Sequence, residues 1–159
     1  FAGELGHITV EPEGRICNCG NRGCLELYAS GPAIVRGVTE ARKNGRATSL
    51  SCNVPVSTAA VFEASSAGDR LCSEVIAKAG KYLGLGILGA MHAFEPERIV
   101  IGGGVSAGFG QLFPFIEQQI SEHAMAHFEG SMDIRVATLG EDSSLIGAAS
   151  YLSDNLHNG

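Results

Sequence analysis

The spacing of apolar positions changes several times along the chain, and each change marks an element. Over Asp69 to Phe94, the residues Leu71, Val75, Ile76, Ala79, Leu83, Ile87 and Met91 form one apolar helical face. Pro96 sets the end of this helix, because the residue before a proline is pushed out of the helical region. Upstream, the pattern is helical from Leu25 to the stop signal Asn44-Gly45. Ser57 to Ser66 reads as a short helix with Ser57 as its N-cap, and residues 46–55 read as a loop. His7 to Val10 fits a short strand leading into an Glu11-Pro12-Glu13-Gly14 turn. Past the long helix, Arg98 to Ile101 predicts a short buried strand, Gln111 to Phe128 a helix, Ile134 to Leu139 a strand and Ser144 to Leu156 a closing helix. Helix–strand–helix–strand–helix, with no repeat and no linker, predicts a single α/β domain over residues 1–159.

Composition narrows the function classes. The chain is 45% hydrophobic and 18% charged, an ordinary globular balance. No apolar run approaches the roughly 18 residues of a membrane span. A net charge of −6 with no Lys/Arg-rich stretch argues against gripping nucleic acid through this surface. The absence of Trp and an aromatic content of 6% argue against a base-stacking platform. The chain begins at Phe1 with no signal-peptide pattern, which predicts a piece of something longer. Its 22 glycines are about twice the usual share. Four of them, Gly80, Gly84, Gly86 and Gly89, interrupt the long helix and predict a close approach there by another helix or a nucleotide.

The densest chemistry lies in Cys17-Asn18-Cys19-Gly20-Asn21-Arg22-Gly23-Cys24, with His7 upstream. One imidazole and three thiolates make the Cys3His donor set of a closed tetrahedral zinc site, and soft thiolates select zinc over magnesium or calcium. Asn18, Asn21 and Arg22 suit a core segment poorly, Cys17 and Cys19 are too close to pair easily, and no Cys-x-x-Cys occurs in the block. The expected metal is therefore structural, pinning a loop with too few apolar residues to fold by packing. Cys52 and Cys72 read as ordinary thiols. Gly102-Gly103-Gly104, directly after the Arg98 to Ile101 strand, fits either a tight turn or a loop that a phosphate or nucleotide approaches.

Three stretches resemble the ROK family of bacterial sugar kinases and sugar-responsive repressors. They are Gly3-Glu4-Leu5-Gly6-His7-Ile8 with the cysteine block through Glu26, Ile99-Val100-Ile101-Gly102-Gly103-Gly104-Val105-Ser106, and Ser144-Leu145-Ile146-Gly147-Ala148-Ala149. The resemblance implies an α/β chain forming the C-terminal lobe of an actin-like ATPase (ribonuclease H-like) fold with a structural zinc loop. It implies that Glu4 and Glu26 accept hydrogen bonds from sugar hydroxyls, that His7 both ligates zinc and faces the sugar, and that Gly102, Gly103 and Gly104 let ATP approach the backbone. The zinc ligands it implies are His7, Cys17, Cys19 and Cys24.

The family's Asp-x-Gly phosphate loop and its catalytic aspartate match nothing in this chain and belong to an N-terminal lobe. The expected function is therefore the sugar- and nucleotide-binding lobe of an ATP-dependent, glucokinase-like hexose kinase, inactive in isolation. Its expected partners are a hexose or amino-hexose, ATP with magnesium, and further copies of itself, in the cytoplasm. The alternatives are the effector domain of a sugar-responsive repressor and a zinc-stabilised structural domain without a ligand. His92 stands where family members often carry asparagine and reads as a residue capping helix-end carbonyls; His123, His127 and His157 are assigned no function.

Overall fold

The helices begin where a side chain can satisfy an unpaired backbone amide. In the computed structural model, which describes residues 3–128 and 133–156, Ser57 Oγ accepts from Ala60 N at 3.1 Å and starts α3 (Thr58–Ser66). Asp69 does the same for Cys72 N at 3.0 Å and starts the 25-residue α4 (Arg70–Phe94). Glu95, in the left-handed region, closes α4 just before Pro96.

The stretch from Leu25 to Asn44 is not one helix, as its pattern predicts, but two. These are α1 (Glu26–Ala29) and α2 (Gly31–Lys43), separated by an extended Ser30 whose Oγ accepts from Ala33 N. Pro32 explains the break. Inside a continuous helix its missing N–H would leave a carbonyl unpaired, whereas in the first turn of α2 no N–H is needed there.

The strand β1 (Arg98–Ile101) pairs in parallel with β2 (Asp133–Val136), in the register Arg98 with Asp133 and Ile101 with Val136. Between them run a 3-10 turn (Ser106–Gly108) and α5 (Phe109–His123), and α6 (Ser143–Leu156) closes the chain. The strand expected over Ile134 to Leu139 thus stops at Val136. The helix expected over Gln111 to Phe128 ends at His123, where Ala124 turns extended before a separate turn at Ala126–Phe128.

Two further expectations fail for a common reason, the small number of strand neighbours. His7 to Val10 is not a strand: Leu5–His7 is a 3-10 turn, and Thr9 makes only an isolated antiparallel bridge to Cys24. Nor is β1 fully buried. Ile101 is, but Val100 is 58% exposed, because among the described residues β1 has β2 alone beside it.

The core lies between α2, α3, α4 and α5, around Ile34, Val38, Val61, Ile76, Met91, Leu112 and Ile116. The glycines of α4 serve this packing. A Cβ on Gly80 would stand 2.9 Å from Leu112 O, and one on Gly84 2.8 Å from Gln119 Cβ, so α5 lies directly on the bare backbone of α4. Gly86 receives Leu25 in the same way, which seats α1 on α4. Gly80 and Gly84 thus serve close helix packing and Gly86 the seat of Leu25, whereas Gly89 is exposed with only Ile8 Cδ1 near it, at 3.9 Å.

Asp69 also ties the 46–55 loop down. Besides capping α4, it accepts from Thr48 Oγ1 at 2.7 Å and from Ser49 Oγ at 2.8 Å. His92 does not cap the carbonyls of its own helix. Its Nε2 lies 3.4 Å from Met125 N, and its ring packs against Phe128, because the chain after α5 folds back over α4. No helix among the described residues is long and apolar enough to cross a membrane.

Candidate metal centre and carboxylate rim

The cysteine block has almost no apolar residues, so backbone hydrogen bonds shape it. Cys17 N donates to Asn21 O at 2.8 Å, Gly20 N to Cys17 O at 2.9 Å, and Gly23 N to Arg15 O at 2.7 Å. Gly23 has φ +72, and a Cβ there would meet Glu11 O at 1.7 Å, so only glycine lets the chain turn back toward Cys24.

The resulting loop brings His7, Cys17, Cys19 and Cys24 together, with one ligand atom from each lying within 4.8 Å of the others. Cys19 Sγ is 3.5 Å from Cys24 Sγ, and Cys17 Sγ is 3.6 Å from His7 Nδ1. Donors about 2.3 Å from a tetrahedral zinc stand about 3.8 Å from one another, so both the separations and the three-sulfur, one-nitrogen donor set fit that ion. The thiols are not equivalent. The Asn21 backbone amide pulls Cys19 down, and burial pushes Cys24 up. The Cys19 backbone amide favours the Cys17 thiolate, but the Glu26 carboxylate and burial outweigh it and leave Cys17 at about 12. Cys72 is buried and Cys52 exposed, both away from this cluster.

Glu4 and Glu26 flank the centre. Glu26, in the first turn of α1, holds Oε1 at 2.9 Å from Cys17 Sγ and 3.8 Å from His7 Nδ1. Glu4 Oε2 lies 3.9 Å from His7 Nε2. His7 thus divides its nitrogens: Nδ1 faces the sulfurs and Nε2 faces Glu4 and solvent. The Cys17–Glu26 bond depends on the thiol proton. Deprotonation of Cys17, which metal binding requires, removes that donor and leaves Glu26 Oε1 an acceptor without a partner there.

Gly102, Gly103 and Gly104 sit at the carboxyl end of β1. Ala137 N donates to Ile101 O at 2.8 Å, so the segments leaving β1 and β2 run side by side, the position where open α/β sheets bind ligands. Gly103, at φ +78, accepts from Ser106 N and Ser106 Oγ. Nothing lies within 4 Å of a Cβ built on Gly103 or Gly104, so the turn is open to a ligand. His123 turns Nδ1 toward Gln119 O in its own helix, and His157 lies outside the described residues.

Comparison with known proteins agrees with this architecture. The sequence model of the ROK family matches residues 1–155, and the chain belongs to that family. It is 40% identical over 152 residues to a glucokinase of Halalkalibacterium halodurans, covering 92% of this chain and 46% of that protein. It is 36% identical over 160 residues to the DNA-binding transcriptional dual regulator NagC of Escherichia coli, covering 99% of this chain and 38% of the regulator. A ROK family glucokinase from Streptomyces griseus, solved in complex with glucose and AMPPNP, superposes with a TM-score of 0.80 at 28% identity, over 94% of this chain and 51% of that one. The chain spans between about two fifths and half of the length of these relatives, from 38% to 51%.

Proposed function

We propose that this chain is the sugar- and nucleotide-binding lobe of an ATP-dependent hexose kinase, the C-terminal lobe of an actin-like ATPase fold. The observation that carries the reading is the arrangement at His7. Its Nδ1 lies 3.6 Å from Cys17 Sγ and 3.8 Å from Glu26 Oε1, and its Nε2 lies 3.9 Å from Glu4 Oε2, so both carboxylates stand beside the cysteine cluster. A sugar hydroxyl needs rigid acceptors, and carboxylates standing on a metal-clamped loop supply them.

His7, Cys17, Cys19 and Cys24 would hold a zinc ion, which fixes the loop and leaves no open position for catalysis. Glu26, released from Cys17, accepts from one sugar hydroxyl. Glu4 accepts from another, and His7 Nε2 orients the ring between them. The open turn at Gly102, Gly103 and Gly104 admits the nucleotide against bare backbone. ATP brings its magnesium, and the proton acceptor for the attacking hydroxyl comes from the other lobe. Free thiols and a zinc site favour a reducing compartment, the cytoplasm.

A second reading, a sugar-binding repressor, is supported by the match to NagC over 99% of this chain. ADP release by the full-length protein with ATP, magnesium and a panel of hexoses separates the two. Turnover with one hexose supports the kinase; sugar binding without turnover supports the repressor.

A further inference from the structure

The turn over Glu11 to Gly14 lies between the candidate ligands His7 and Cys17 and carries no ligand itself. The far side of the cluster nonetheless leans on it. Val10 N and Glu11 N donate to Gly23 O at 2.9 and 3.2 Å, Gly23 N donates back to Arg15 O, and Arg22 Nη1 donates to Gly14 O at 2.9 Å. Arg15 stands two residues before Cys17, and Gly23 leads directly into Cys24. The place of this turn therefore sets how the chain approaches both cysteines.

The turn has no core-forming side chain of its own, so it is held from outside. Tyr82 of α4, 71 positions along the chain, donates its hydroxyl to Glu11 Oε2 at 2.7 Å. Burial, then the bond to Glu11, pushes the Tyr82 phenol up to about 12, so it keeps the proton it donates. Its ring lies against Tyr28 of α1 with centroids 4.4 Å apart, and Tyr28 Oη accepts from Arg15 N at 2.8 Å. A Cβ on Gly14 would collide with Tyr28 Oη, so the turn rests directly on the tyrosine pair. Arg15 also pairs with Glu40 of α2, but that pair is open to solvent screening, whereas Tyr82 is half-buried and its acceptor is charged.

We infer that Tyr82 is a positioning residue of the candidate metal centre: through Glu11 it holds the turn to α4 and so presets the convergence of His7, Cys17 and Cys24. Ligands already held near their coordinating separations lose less freedom on binding a metal, which strengthens the binding. One helical turn further along α4, Gly86 seats Leu25, so the same helix carries both this turn and the α1 segment with Glu26. The inference rests on the zinc reading of the cluster and not on the kinase reading.

Competition for zinc between the full-length protein and a chromophoric chelator tests it, with wild type, Tyr82→Phe, Glu11→Gln and Gly84→Ala. Tyr82→Phe keeps the ring and its stacking and removes only the donor. Zinc affinity should fall by about tenfold, the scale of one hydrogen bond to a charged acceptor. Glu11→Gln still offers Tyr82 an amide oxygen and should lose clearly less. Gly84→Ala overpacks α4 against α5, and it should lose stability while binding zinc as wild type does. Zinc affinity unchanged in Tyr82→Phe, or lowered as much in Gly84→Ala, would overturn the inference and leave the zinc reading in place. No zinc binding by wild type would instead remove the zinc reading, and this inference with it.

Discussion

At the scale of single residues, the candidate metal centre was the most legible part of the chain. Three of its four ligands lie within eight residues, so their convergence depends on local turns, and the intervening glycines announce those turns. Cys19→Ser removes a thiolate and opens the tetrahedron. Elemental analysis of the purified full-length protein should then fall from about one zinc per chain toward none. What the sequence could not show is how His7 divides its nitrogens, or that Glu26 bonds to Cys17. Both depend on where α1 is carried by Leu25, seated on Gly86. Glu26→Gln keeps the shape but replaces a charged acceptor with a neutral one. On the proposed function, sugar affinity measured by calorimetry should weaken by about 1.5–3 kcal/mol, the worth of a hydrogen bond to a charged group.

At the scale of elements, the periodic pattern located every major helix, while the breaks followed from single residues. Ser30 with Pro32 split one expected helix in two, and Ala124 ended another early. The cap of α4 carries a pH dependence. Amide and hydroxyl donors from Thr48, Ser49 and Cys72 outweigh burial and hold the Asp69 carboxyl well below the usual carboxylate range. A depressed native pKa contributes stability above the unfolded value of about 3.9, and that contribution is lost as pH falls toward the native value. Wild type should therefore lose stability in acid over a range where Asp69→Asn, already less stable at pH 7, changes little; thermal melts from pH 7 to pH 3 read this out. Gly84 tests the packing of α4 on α5. A Cβ there would lie 3.1 Å from Ile116 Cα as well as 2.8 Å from Gln119 Cβ. Gly84→Ala should cost about 1–3 kcal/mol by overpacking, despite alanine's better helix propensity, and denaturant melts should show a lower midpoint.

At the scale of the whole molecule, several large apolar side chains of the described residues are left uncovered. Phe94, Val100, Leu145, Ile146, Tyr151 and Leu152 are exposed, and a largely apolar groove of about 340 Å³ runs past Leu5, Leu25, Phe94 and Val100. A contiguous apolar groove of this kind marks an interaction face. On the two-lobe proposal, residues 1–159 expressed alone should bind a hydrophobic dye and sediment as mixed, concentration-dependent species. The full-length protein should do neither; equal behaviour of the two would count against the proposal.

The sequence by itself determined what is local: the helical faces, the cap at Ser57, the Cys3His donor set and the glycine turn after β1. Each rests on spacing within a few residues, where backbone geometry leaves little choice. Only the tertiary structure decided which partners meet across long separations. Gly80 and Gly84 met a helix, His92 met Met125, and Tyr82 met Glu11. The physical reason is that side-chain packing and charge compensation are properties of surfaces. A surface exists only after elements distant in the chain have been brought together.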